Sequence, residues 1–151
     1  MRVVIQRVKR ASVTINNIKT NSIGEGLMIL FAVEVGEDGS DIDWLVKKIV
    51  NLRIFNDEEG VMNRSVKDVD GEIMVVSQFT LFAKTKKGNR PSYIDSAKPD
   101  TAIPIYNTFV ESISDVLGKN IATGEFGADM QVELINDGPV TIIIDTQRKD
   151  L

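Results

Sequence analysis

Two short, unbroken apolar runs constrain the fold most: Leu27 to Val33, and Ile73 to Val76. Both have strand length, and neither alternates with polar residues. Runs of that kind belong to strands buried on both faces rather than half-exposed ones. Helical patterns with one apolar side accompany them. Ile42, Leu45, Val46, Ile49 and Leu52 fall at helical spacing, with Lys47, Lys48 and Asn51 on the other side. They predict a helix over about 41–52, with Ser40 as N-cap and Asp43 in the first turn. A second helix begins around Pro99. Its stripe is Ala102, Ile105, Tyr106, Phe109, Ile113, Val116 and Leu117, and Gly118 stands at its C-cap position. Pro104 suits that helix only within its first turn.

The remaining pattern is mostly strand. Residues 2–8, 12–15 and 18–23 read as strands, with a tight hairpin at Asn16-Asn17. Ile54-Phe55 is a short apolar pair, Asn56 to Gly60 a turn, and residues 61–71 give a weak signal. The run at Ile73 extends as a central strand over Glu72 to Phe82. Met130, Val132 and Leu134 alternate with polar residues as in a half-exposed strand. Asn136-Asp137-Gly138-Pro139 reads as a turn, Val140 to Ile144 as the last strand, and Thr146 to Leu151 as a polar tail. Strands outnumber helices and do not alternate with them one for one. The class is therefore α+β rather than doubly wound α/β.

At 151 residues the chain fits one domain over 1–151. No apolar run approaches the ~20 residues of a membrane span. Residues 1–7 carry a charge within their apolar run and no small-residue cleavage site, so no signal peptide is expected. Cysteine and histidine are both absent. That excludes Ser-His-Asp and Cys-His catalysis and His- or Cys-ligated zinc, and it fits a cytosolic protein. The net charge of −4 argues against a broad cationic coat but leaves room for a local basic patch.

Several stretches have both a structural and a chemical reading. The central strand ends in Ser77, Gln78 and Thr80, interleaved with Phe79, Leu81 and Phe82. Either nearby backbone satisfies these polar groups or they floor a site, since unpaired burial costs about 1–3 kcal/mol each. A hydroxyl nucleophile here lacks the expected base, because no Ser-x-x-Lys spacing follows Ser77 or Thr80. Asp137-Gly138-Pro139 is simplest as a hairpin turn. Lys84, Lys86, Lys87 and Arg90 form a basic loop that is either solvated or in contact with phosphate. Asp57-Glu58-Glu59 is a poor metal site, since adjacent carboxylates do not converge easily. Phe126 to Met130 reads as a loop packing Phe126 on the core.

Five segments together resemble the D-aminoacyl-tRNA deacylase family, historically called D-tyrosyl-tRNA deacylases. They are Val4 to Val8 with Ala11-Ser12-Val13; Ser77-Gln78-Phe79-Thr80-Leu81; Lys87 to Ser92; Thr123 to Met130; and Asn136 to Thr141. The Ser-Gln-Phe-Thr and Gly-Pro motifs are the family's two signatures. Tyr93, where phenylalanine is more frequent, is a minor departure.

The resemblance implies a β-rich, barrel-like fold flanked by two main helices, in a cytoplasmic homodimer with its active site at the subunit interface. It implies hydrolysis of the ester joining a D-amino acid, or misattached glycine, to the terminal adenosine of tRNA, with no metal and no cofactor. Ser77, Gln78, Phe79 and Thr80 would form the catalytic stretch. Gly138 and Pro139, joined by a cis bond and held by Arg7, would enter the partner's pocket and exclude L side chains. Gln78, Phe126 and Met130 would contact the adenosine, and Lys84, Lys86, Lys87 and Arg90 the tRNA phosphates. A silent tRNA-binding dimer and a threonine-nucleophile hydrolase are the alternatives.

Overall fold

The computed structural model describes residues 1–150. Leu151, the end of the expected polar tail, lies outside them. Strand β1 (Arg2–Ile15) organises the sheet. The strands predicted over 2–8 and 12–15 are one continuous strand. Its inward residues include Val3, Ile5, Val8, Ala11, Val13 and Ile15, all buried. One edge of β1 pairs with β8 (Met130–Asp145) along most of its length. The other edge is shared. β3 (Gly26–Ala32) covers Arg2 to Val8, and β2 (Lys19–Ile23) covers Ala11 to Ile15. The β1–β2 hairpin turns at Asn16 (φ 49°) and Asn17 (φ 58°), the left-handed conformation that asparagine tolerates.

β3 next pairs in parallel with β6 (Glu72–Ser77), and β6 with β7 (Ala122–Thr123). The Asn21 amide of β2 donates to the Thr123 carbonyl of β7, drawing the far edges together. The result is a mixed, nearly closed barrel-like sheet of six strands, matching the expected α+β architecture.

The two apolar runs lie side by side in the middle of this sheet. On one face, Leu27, Ile29, Phe31, Ile73 and Val75 meet α1 (Ile42–Asn51) and α2 (Pro99–Leu117). Phe31 stacks on Phe109 with ring centroids 4.5 Å apart. On the other face, Met28, Met74 and Val76 fill the barrel interior with Val8, Val13 and Ile23. Each fully buried large side chain contributes about 1.5–3 kcal/mol over leaving it exposed.

Four local expectations are corrected. Ser40 does not cap α1. Asp41 takes the N-cap position without a side-chain bond, while the Ser40 N–H is donated to Asp38. Pro104 lies inside α2, beyond its first turn. The central strand stops at Ser77, and Phe79–Phe82 winds into a 3-10 turn. Asn136 to Pro139 is not a hairpin turn. Gln6 faces Thr141 and Val8 faces Asn136, so β8 stays on β1 while Asp137 to Val140 bulge out of register. The pair β4 (Phe55–Asn56) and β5 (Met62–Arg64) supplies a small hairpin where the sequence signal is weak.

Candidate active site

The polar end of β6 leaves the sheet in a defined way. The Gln78 N–H donates to the Phe31 carbonyl (2.8 Å), carrying the β3 pairing one residue past the strand. Bonds from Leu81 N–H to Gln78 O (3.2 Å) and from Ala83 N–H to Thr80 O (3.0 Å) then close the 3-10 turn. The N–H groups of Phe79 and Thr80 come before the first of these bonds. Neither has a partner inside the chain among the described residues.

Side chains from elsewhere hold this turn. The Ser96 hydroxyl donates to the Phe79 carbonyl (2.7 Å). Arg2 Nη1 donates to the Leu81 carbonyl (2.6 Å), and its guanidinium lies 4.5 Å above the Phe82 ring. Arg2 Nε donates in turn to Asp145 (2.9 Å). Burial works against ionisation of Asp145. Donation from Arg2 and from the Gln147 N–H, with the charges of Arg148 and Arg2, outweighs it. The Asp145 carboxyl is held below its ordinary value.

A cleft of about 620 Å³ opens beside the turn, enough for a nucleoside-sized ligand. Ser77, Gln78 and Phe79 line it from the end of β6, and Phe126 and Met130 from the approach to β8. A side chain on Gly124 would collide with the Met130 sulfur, so glycine there lets the thioether occupy its place. Phe126 packs edge-on against Tyr106, with centroids 6.0 Å apart. Tyr106 is anchored by donating to the Val75 carbonyl (3.0 Å), and burial pushes its hydroxyl up to about 12. The exposed Phe79 ring meets Tyr93 edge-on at 5.0 Å. Lys98 and Asp129 are the charged residues of the lining. Thr80 Oγ1 accepts the Gln78 side-chain amide. Among the described residues no carboxylate or lysine amine bonds to it.

Arg7, Gly138 and Pro139 form a second cluster, which does not line the cleft of their own chain. Arg7 is buried, yet it takes up three acceptors. Nε donates to the Asp137 carbonyl (2.9 Å), and Nη1 to the Ile54 carbonyl (2.6 Å) and more distantly to Asn56 Oδ1 (3.4 Å). The Asp137 carboxylate lies between Arg7 and Lys9, at 3.4 and 3.3 Å. Asn136 spans the base of the bulge. Its Oδ1 accepts the Val140 N–H (3.0 Å), and its Nδ2 donates to Thr141 Oγ1 (3.1 Å). The Gly138-Pro139 bond is cis, and Gly138 has φ +129°, a conformation an L residue rarely adopts. Both residues project into solvent.

The basic loop is pinched shut by reciprocal Lys84–Ser92 backbone bonds (2.8 and 3.0 Å). All four cations are exposed; Lys84 is ion-paired with Asp95 at 2.7 Å, whereas Lys86, Lys87 and Arg90 have no ion pair among the described residues. Asp57 accepts the Glu59 and Val61 N–H groups (2.9 and 3.0 Å), so its carboxylate builds a turn. Sequence reasoning missed Arg2, Ser96, Lys98 and Asn136. The Asn136 signal was available, because an Asn two residues before Gly-Pro can bond across the intervening backbone. Arg2 and Ser96 carry no local signal.

Residues 4–145 match the family described as D-Tyr-tRNA(Tyr) deacylase. The chain belongs to this family. Curated relatives named D-aminoacyl-tRNA deacylase, from Bacteroides thetaiotaomicron and Parabacteroides distasonis, are 60% and 61% identical to it. Each match covers 99% of this chain and all of the relative. A solved structure named c-Myc DNA Unwinding Element Binding Protein is 40% identical, with a TM-score of 0.89 over 97% of this chain and 99% of its own. Another, named as a probable eukaryotic D-amino acid tRNA deacylase, is 19% identical with a TM-score of 0.82 over 95% and 97%, and shows a shared fold. The expected D-aminoacyl-tRNA deacylase family, and with it the expected hydrolase, is borne out. In this deacylase no helix among the described residues is long and apolar enough to cross a membrane.

Proposed function

We propose that the chain hydrolyses the ester between a D-amino acid, or a misattached glycine, and the 3′ adenosine of tRNA. It works in the cytoplasm as a homodimer, with each active site at the subunit interface. The observation that carries the chemistry is the pair of unpartnered N–H groups on Phe79 and Thr80 beside a nucleoside-sized cleft.

These two N–H groups receive the carbonyl oxygen of the ester as it gains negative charge. Each such donor is worth roughly 2.7–4 kcal/mol in the transition state. The ester is already activated, so water is a sufficient nucleophile. With no histidine in the chain, the ribose 2′-hydroxyl of the substrate helps to activate that water. Thr80 positions and does not attack: its hydroxyl accepts the Gln78 amide and, among the described residues, bonds to no carboxylate or lysine amine that could serve as its base. Phe126 and Met130 hold the adenine face, and Gln78 its polar edge. The cations of the basic loop, Lys86, Lys87 and Arg90, meet tRNA phosphates.

Chirality is read by exclusion. The Gly138-Pro139 bulge enters the partner's cleft, where its backbone occupies the space an L side chain needs and its carbonyls accept from the α-amine. Glycine has no side chain to exclude. Support comes from the unpaired bulge and from Val132, Ile135 and Ile143, which leave apolar surface on β8 open to a second copy.

Purified protein is tested on D-Tyr-tRNA and L-Tyr-tRNA side by side. Rapid release of D-Tyr with L-Tyr-tRNA spared is expected. Decay of both at the buffer rate would overturn the reading in favour of a silent tRNA binder. Thr80→Ala should keep substantial activity. Complete loss with intact folding, plus an acyl-enzyme trapped on the wild type, would instead mark a threonine nucleophile.

A further inference from the structure

A second basic surface lies outside the cleft and the basic loop. α1 and the residues after it open a groove of about 480 Å³ to solvent, lined by Trp44, Lys47, Lys48, Asn51, Leu52 and Arg53. Lys47, Lys48 and Arg53 are exposed, and none takes part in an ion pair among the described residues. The Lys48 ammonium stands 5.8 Å from the centre of the Trp44 ring. Lys149 stands closer, at 4.7 Å, but its charge is taken up by Asp41. In a chain of net charge −4, three cations with no ion pair among the described residues, lining one groove together with an indole, form a local anion-attracting surface.

The position of this groove suggests its occupant. Arg53 directly precedes Ile54, whose carbonyl accepts Arg7 Nη1. The same guanidinium bonds the Asp137 carbonyl at the root of the Gly138-Pro139 bulge. Groove and bulge are thus mounted on one anchor. We propose that the α1 groove binds phosphates of the tRNA acceptor arm whose 3′ end occupies the partner's cleft. One tRNA would then be held by both protomers, the partner's floor taking its end and this chain's α1 its backbone. The inference rests on the proposed deacylase function and dimer. Lysine and arginine on phosphates supply affinity and register without reading sequence, and Trp44 supplies a flat apolar floor beneath them.

The test is the triple variant Lys47→Gln, Lys48→Gln, Arg53→Gln in the full chain, assayed on D-Tyr-tRNA and on the small ester D-Tyr-adenosine across a salt titration. These exposed residues can change without disturbing the core. The expected result is a fall of about tenfold in kcat/KM for the tRNA at low salt, with the log–log salt slope flattened by about 2. Hydrolysis of the adenosine ester stays at the wild-type rate. The charge-conserving variant Lys47→Arg, Lys48→Arg, Arg53→Lys restores the tRNA rate. An unchanged tRNA rate and slope would overturn the proposal, and so would equal losses on both substrates. A wild type inactive on both esters would instead refute the deacylase reading itself.

Discussion

Replacing Arg7 by methionine separates the anchoring of the Gly138-Pro139 bulge from the cleft chemistry. The guanidinium is nearly out of solvent, with its side chain 7% exposed. Methionine fills similar volume but donates nothing. The Ile54 carbonyl loses its partner in a buried setting, at a cost of about 1–3 kcal/mol. The Asp137 carbonyl loses its donor too, but the bulge can turn it to water, so its cost lies near the low end of that range. Together these give a destabilisation of about 2–4 kcal/mol. Two controls divide the effect. Lys9→Met removes an ion-pair partner that is 58% exposed and should cost under about 1 kcal/mol. Asp137→Asn keeps the main-chain carbonyl on Arg7 and should cost about 1 kcal/mol. Urea denaturation gives the stabilities, with the midpoint moving and the slope unchanged. Deacylation of D- and L-Tyr-tRNA reports the bulge. Arg7→Met should lose enantioselectivity, while Lys9→Met keeps it. Arg7→Met stability within about 0.5 kcal/mol of wild type, with selectivity intact, would refute the anchoring argument.

Other perturbations probe the remaining supports. Asn136→Ala removes both bonds across the base of the bulge. It should cost about 0.5–1.5 kcal/mol and lower the D/L rate ratio, with KM for D-Tyr-tRNA preserved; Asn136→Asp, which keeps the acceptor, should do less on both counts. Phe126→Ala should raise KM for D-Tyr-adenosine about tenfold, the equivalent of one lost base-stacking contact of about 1–3 kcal/mol. Asp145 has its folded-state value depressed, so its contribution to stability is present above the ordinary carboxylate range and is lost as pH falls below it. Asp145→Asn should therefore flatten the acid limb of the stability–pH curve, and Arg2→Met should lower kcat by freeing the 79–82 turn.

The fold's centre was legible because packing dictates it. Leu27 to Val33 and Ile73 to Val76 announce two-sided burial, and the α1 and α2 stripes announce what covers one side. Irregular backbone was harder to read. Lys9 and Arg10 look like a strand end, yet they are exposed residues on a continuous β1. Asp-Gly-Pro carries turn chemistry, and here that chemistry makes a bulge within β8, because the long β1 edge keeps pairing on either side of it. Phe79 to Phe82 has strand composition, but their backbone is held in a 3-10 turn by Arg2 and Ser96 from distant segments. Gln78, Phe126 and Met130 line one cleft, which their separation in the sequence does not show. Arg2 and Ser96 escaped notice because the groups they hold in the turn are main-chain carbonyls, which leave no trace in side-chain pattern.

The central claim is that one active site needs two chains: the floor of one and the bulge of the other. Heterodimers purified through two different tags test it. One chain carries Ala97→Phe, which fills the cleft that Ala97 lines. The other carries Gly138→Ala with Pro139→Ala. Each variant alone should be inactive or unselective. The account predicts that the heterodimer pairs one intact floor with one intact bulge and recovers about half of the wild-type D-Tyr-tRNA deacylation, with L-Tyr-tRNA spared. A heterodimer no more active or selective than either parent would contradict it.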